Sequence, residues 1–219
     1  RKVGVPLAFT LIDRAHWPRR EYFDHYFDQV PCSYSMTTEL DITPVRTAGR
    51  KLYPALLHAL SLVVSRHPEF RTALDREDRL GVYDQLHPSY TVFHPDTETF
   101  SVLWTPFSPD WDTFLASYQR DQALYGSVHR FTGKPDVPEN CFSVSMLPWE
   151  TFQGFHLHLQ QGHRYLLPIF TLGRYRQDGP RQLLPLAVQV HHAVCDGFHL
   201  CRFLEELREE LAAYGECPK

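Results

Sequence analysis

Apolar and polar positions alternate along this chain with two periods, and the switches between them mark out its elements. Near the start, Tyr22, Phe23, Tyr26 and Phe27 recur at helical spacing within residues 21–30. That spacing predicts a helix, which Pro31 ends by removing a donor and crowding the preceding turn. Residues 35–42 read as a strand. The clearest early helix covers 53–68, where Pro54 suits the first turn and Leu56, Leu57, Leu60, Val63 and Val64 form one apolar face. Arg66 and His67 complement the helix dipole at its end, and Pro68 stops it. Each leucine buried there contributes roughly 1.5–3 kcal/mol, so this helix reads as core rather than site.

From residue 70 to 104 the period shortens to two. Segments 71–74 and 80–83 flank a charged turn at 75–78 and read as a hairpin, and 90–94 and 97–104 continue the β pattern. Helical spacing returns over 110–125 through Trp111, Phe114, Leu115, Tyr118 and Leu124. Residues 126–140, with Gly133, Pro135 and Pro138, read as loop. In the final third, 142–146 and 155–159 alternate as strands, and 166–175 and 182–190 are joined through the turn Gln177-Asp-Gly-Pro180. A closing helix carries Leu200, Phe203, Leu204, Leu207 and Leu211 on one face, with Glu205, Glu206, Glu209 and Glu210 on a solvated face largely opposite. No repeat, linker or shift in composition divides the chain. The expectation is a single domain over 1–219, of mixed α/β (α+β) class, with one extended sheet.

Composition narrows the function classes. Apolar residues make up 43% of the 219 positions and aromatics 14%, ample material for one packed core. The net charge of −4 comes from mixed signs, and no basic stripe points to nucleic acid or a membrane surface. No apolar run approaches the ~18 residues that span a bilayer. Residues 1–10 are basic and then apolar, but too briefly for a signal peptide. The five cysteines (Cys32, Cys141, Cys195, Cys201 and Cys217) are odd in number and lack CxxC spacing, so they read as reduced thiols in a cytoplasmic protein.

The candidate chemistry lies in the stretch 183–199. An apolar run carries into His191 and His192, then Asp196 and Gly197, then the closing helix. Neighbouring strand residues face opposite ways, so one histidine at most enters a given site. A neutral imidazole can take a proton from an alcohol. On spacing alone the pair reads equally well as packed, hydrogen-bonded core. Asp196, just before a helix, reads first as an N-cap worth about 1 kcal/mol.

The string Gln189-Val-His-His-Ala-Val-Cys-Asp-Gly-Phe-His199 fits the HHxxxDG signature of CoA-dependent acyltransferases and resembles the chloramphenicol acetyltransferases. Trp17-Pro-Arg19, Leu40-Asp-Ile-Thr43, Tyr53-Pro54, His67-Pro-Glu-Phe70, Tyr90-Thr-Val-Phe-His94, Thr97-Glu-Thr-Phe100, Ser145-Met-Leu-Pro-Trp149 and Phe170-Thr-Leu-Gly173 agree in order and spacing. The resemblance covers nearly the whole chain. It implies a two-layer sandwich with one large mixed sheet flanked by helices, and O-acetylation of the primary hydroxyl of chloramphenicol, which gives antibiotic resistance. Acetyl-CoA would be a cosubstrate, with no permanently bound cofactor and no metal.

By the same resemblance, His192 is the general base, Ser145 the oxyanion donor and Thr171 a helper acting through a water. Asp196 pairs with Arg19 to hold the loop. Tyr26, Cys32, Phe100, Phe155, Leu157, Tyr165 and Leu167 are implied for the acceptor, and Trp149 and Tyr175 for CoA. A homotrimer with sites between subunits is implied too. Departures from the pattern are His156 and His158, where relatives commonly carry asparagine or other small polar residues, and a shorter stretch over 44–52.

Four other readings predict different outcomes, and the plainest, a non-enzymatic binding or scaffolding protein, predicts that His192→Ala leaves function untouched. The same chemistry could serve another alcohol, which pocket residues would decide. A cysteine nucleophile, Cys195 or Cys32, would leave an acetyl-enzyme. A metal site from His156, His158, His191, His192 or His199 lacks HExxH or knuckle spacing.

Overall fold

Two sheets divide the strands, and helices cover one face of the larger. The computed structural model describes residues 8–159 and 162–216. Residues 1–7 of the N-terminal reading and Cys217 lie outside these. In chain order come β1 (Phe9–Leu11), α1 (Arg20–Phe23) running into a π-helical stretch Asp24–Gln29, β2 (Ser33–Asp41), α2 (Thr43–Thr47) and α3 (Leu52–Arg66). Next are β3 (Thr72–Leu74), β4 (Leu80–Tyr83), β5 (His87–His94), β6 (Thr99–Trp104) and α4 (Trp111–Tyr125). The last are β7 (Cys141–Leu147), β8 (Ile169–Gly173), β9 (Arg176–Asp178), β10 (Arg181–His191) and α5 (Gly197–Glu216).

The large sheet runs β2-β10-β8-β7-β5-β6, with β9 pairing onto β10. It is mixed, as expected: β5, β7 and β8 are parallel neighbours and the other pairs antiparallel. The expected β3–β4 hairpin forms, but with β1 it makes a separate three-stranded sheet. Central β10 is buried on both faces from Leu183 to His191, which explains why its sequence is a near-continuous apolar run. Val188 and Leu186 face the same way as Phe170, whose ring stacks on Phe203 of α5 at 5.5 Å. The helix face expected from Leu200, Phe203, Leu204, Leu207 and Leu211 is therefore the one that meets the sheet, and all five are buried.

Several segments depart from their periodicity. Helix α3 is buried on nearly every side from Pro54 to Val64, because α4 and α5 enclose the side the sheet leaves open. Glu206 and Glu210 of α5 are not a free polar face. They pair with Arg66, and Glu206 with His67, so these charges dock α3 onto α5. The alternating segment 155–159 forms no strand: the Leu157 N–H donates to the Gln189 side chain, 2.9 Å away, instead of entering a ladder. The strand expected over 166–175 shrinks to β8, with Leu166 and Leu167 buried ahead of it. The helix expected over 21–30 becomes one α turn and then π-helical turns.

Buried polar groups tie the loop 126–140 to the sheet. Lys134 Nζ donates to Asp121 at 2.8 Å and to the Trp104 carbonyl at 3.0 Å, while Thr105 donates to the same carboxylate. Gly133 allows the close approach, since a Cβ there would sit 2.8 Å from Leu103 Cδ1. His87 accepts the Phe107 N–H on Nδ1 at 3.0 Å, and burial, with Lys134 adding to it, pushes its imidazole from 6.5 down to about 4. A base depressed in the fold gives stability that is complete above pH 6.5 and is lost as pH falls toward 4. Denaturant unfolding should therefore show up to about 3 kcal/mol lost over that window. His87→Asn should flatten that part of the profile.

Candidate active site

β10 ends at His191, and the chain then turns through His192-Ala-Val-Cys before α5 begins at Gly197. The two histidines part as alternation predicts. His191 is 1% exposed, and its Nδ1 accepts the Ala193 N–H at 3.1 Å. His192 is half-buried, with its ring stacked on Tyr26 at 3.8 Å and edge-on to Tyr34 at 5.4 Å. The His192 N–H donates to the Cys32 carbonyl at 2.9 Å. Its Nδ1 is enclosed 3.3 Å from Asp196 Oδ1, which leaves Nε2 as the nitrogen able to meet a ligand.

Arg19 holds the turn together. Its guanidinium donates to both Asp196 oxygens at 2.7 and 2.6 Å, to the His192 carbonyl at 2.8 Å and to the Ala193 carbonyl at 2.7 Å. Those bonds hold the Asp196 carboxyl below the usual carboxylate range, against some desolvation. Asp196 precedes α5 as an N-cap would, yet its side chain serves Arg19. Tyr34 adds a hydroxyl bond to the Cys195 carbonyl at 3.2 Å. Burial pushes the Cys195 thiol up to about 12, so it stays a thiol rather than a nucleophilic thiolate.

A second feature lies across the sheet. β5 and β7 pair only as far as Tyr90–Val144, and beyond that the two parallel strands separate. The wedge between them is a cavity of about 600 Å³ lined by Thr91, Phe93, Phe100, Ser145, Trp149 and Tyr53, among others. Tyr53 opens α3, so a helix read as core alone contributes to a cavity. Ser145 sits beside Thr171 in the β7–β8 register, and Thr171 beside Ala187 of β10. His192 is five residues past Ala187, and two strand spacings separate it laterally from Ser145. At ~3.3 Å per residue and ~4.8 Å per strand, the two lie about 20 Å apart in one chain.

The remaining candidates fall into separate groups. Tyr26 and Cys32 lie with His192, while Phe100 and Trp149 lie with Ser145. Tyr165 and Leu167 flank Gln189 and His191 around a small cavity of about 10 Å³. Phe155 lies 5.6 Å from Phe152, and Leu157 is bonded to Gln189. Tyr175 follows β8 and stacks under Arg46 at 5.2 Å, near the strand ends where Trp149 follows β7. Among the described residues no three His, Cys, Asp or Glu side chains converge to hold a metal.

A family model described as chloramphenicol acetyltransferase matches residues 7–208. The chain belongs to the chloramphenicol acetyltransferase family. A chloramphenicol acetyltransferase of Clostridium perfringens is 57% identical over 203 residues, covering 93% of this chain and 98% of the relative. One from Clostridioides difficile is 54% identical over 211 residues, 96% of this chain and 100% of its own. Among solved structures, a chloramphenicol acetyltransferase superposes with a TM-score of 0.80 at 22% identity, over 93% of this chain and 100% of that one. In this member of the family, sequence reasoning missed Tyr34, which steadies the turn, and Gln189, which fastens 155–159. Beyond a place in the metal alternative, it gave His199 no role at this turn. Its position three residues after Asp196, at the start of a helix, was the available signal.

Proposed function

We propose that this enzyme transfers an acetyl group from acetyl-CoA to the primary hydroxyl of chloramphenicol, with His192 as the base. The observation that carries the mechanism is the fixed His192 ring, stacked on Tyr26 with Nε2 available and Nδ1 enclosed beside Asp196. As the hydroxyl oxygen attacks the thioester carbonyl, Nε2 takes its proton. The tetrahedral intermediate then collapses, breaking the carbon–sulfur bond, and the departing thiolate takes the proton back. The Ser145 hydroxyl donates to the oxyanion, and Thr171, its neighbour in register, assists through a water. Transfer is direct within a ternary complex. The depressed acidity of the Cys195 thiol argues against an acetyl-cysteine.

The roughly 20 Å between Ser145 and His192 is too long for one acetyl group to bridge, and it favours a site completed by a second copy. A closed homotrimer meets that need, with each His192 facing the neighbour's wedge. Tyr26, Cys32, Phe100, Phe155, Leu157, Tyr165 and Leu167 would then gather around the acceptor, and Trp149 and Tyr175 along CoA. No helix among the described residues is long and apolar enough to cross a membrane. With Cys32, Cys141, Cys195 and Cys201 all free thiols, we assign the enzyme to the cytoplasm.

Purified protein given acetyl-CoA should release free thiol only when chloramphenicol is present, and absence of that dependence would overturn the proposal. A panel of other alcohols reads out the competing acceptor assignment. Ser145→Ala should lower kcat about 10²–10³-fold with little change in either KM. An unchanged kcat would remove Ser145 from the oxyanion site.

A further inference from the structure

The start of α5 departs from the ordinary capping arrangement, and the departure concerns the base. In a capping box the N-cap side chain bonds the helix N-terminus, while the residue at the third helical position reaches back to the N-cap N–H. Here Asp196 occupies the N-cap position, and its carbonyl accepts the first helical bond, from the Leu200 N–H at 3.1 Å. Its carboxylate is committed to Arg19 at 2.6 and 2.7 Å. Only the reach-back half of the box remains, and a histidine supplies it: His199 Nδ1 accepts the Asp196 N–H at 2.9 Å.

That bond needs Nδ1 bare and the ring proton on Nε2. Nε2 faces Glu69 Oε1 at 3.6 Å, which favours this tautomer. The charges facing the ring are Glu69 from the turn 68–70, Arg19 from the start of α1, and Asp196 and Arg202 from its own helix start. Burial outweighs the two carboxylates and holds the imidazole below its ordinary range, toward the neutral form the bond requires.

We propose that His199 is a positioning residue for His192, and that it acts by occupying the Asp196 N–H so that the Asp196 carboxylate stays with Arg19 and beside His192 Nδ1. Without it the Asp196 N–H loses its acceptor, and the backbone that carries the carboxylate is no longer fixed at the helix start. Arg19 loses its bidentate partner and the His192 ring its neighbour at 3.3 Å. Glu69 is the outer member of the arrangement. The inference rests on His192 as the base and extends that assignment one shell outward.

The test compares His199→Ala, His199→Gln and His192→Ala by steady-state kinetics and thermal unfolding. His199→Ala should lower kcat roughly tenfold while leaving both KM values within about twofold. His199→Gln, whose amide oxygen can make the reach-back bond, should recover most of the loss. A kcat for His199→Ala equal to that of the parent protein would overturn the proposal. So would a His199→Gln protein that melts like the parent yet is as slow as the alanine variant. If His192→Ala remains active, the base assignment fails instead, and the two failures are told apart within one set of proteins.

Discussion

His192→Ala should lose acetylation by about 10²–10⁴-fold in kcat, the range expected when a positioned base is deleted. Binding of both substrates should persist, since Nε2 acts on the transferring proton rather than on either ground state. The melting temperature should hardly move: the ring is half-buried, and the bonds that fix the turn come from its backbone. Added imidazole offers a further check, because a cavity of the right shape at Tyr26 would allow partial rescue. If the catalytic centre joins two chains, co-expression of His192→Ala with Ser145→Arg, which blocks the wedge, should restore activity. A mixed oligomer pairs the intact histidine of one variant with the open cavity of the other. Mixed oligomers no more active than either variant alone would place base and cavity in the same chain.

Arg19→Ala should damage both fold and rate. The guanidinium side chain is 14% exposed and donates to three separate groups of the turn, so its removal strands a partly enclosed carboxylate and two carbonyls. Breaking such a pair costs about 3–5 kcal/mol. Discounting for an Asp196 side chain that is 37% exposed, about 2 kcal/mol is expected in denaturant unfolding. Activity should fall more than stability accounts for, because the surviving folded molecules carry a loosened base. Arg19→Lys should recover little, since an ammonium cannot donate to both Asp196 oxygens and two carbonyls in one plane. A melting temperature unchanged in Arg19→Ala would contradict the anchoring role.

The local pattern carried most of the fold. Proline and apolar spacing placed α3 to within two residues, and the 75–78 turn named the β3–β4 hairpin. The failures share a physical origin. Residues 155–159 alternate like a strand, yet their fate depends on whether a ladder partner is in reach, which is tertiary information. Glu206 and Glu210 look like a solvated face until α3 brings Arg66 against them. For the site, strand alternation separated His191 from His192, and the family motif supplied Arg19 as partner of Asp196. The parting of β5 from β7 left no trace in residue type, because strand divergence is a property of the sheet rather than of any one segment. His199 was legible as an N3 residue, but a histidine there does not announce itself as a cap.

The π-helical stretch Asp24–Gln29 has a consequence for which chain lengths the site tolerates. Arg19 grips the turn that carries His192 from just before it, and the Cys32 carbonyl accepts the His192 N–H just after it. Between those two fixed points the chain works as a ruler, and the wider turns take up material that an α-helix would have to accommodate elsewhere. Deleting one residue there would let the turns tighten to α and swing Tyr26 by about 100° around the axis, away from the imidazole. The interval between Arg19 and Cys32 is therefore a measured length, in which insertions and deletions matter as much as the residues themselves.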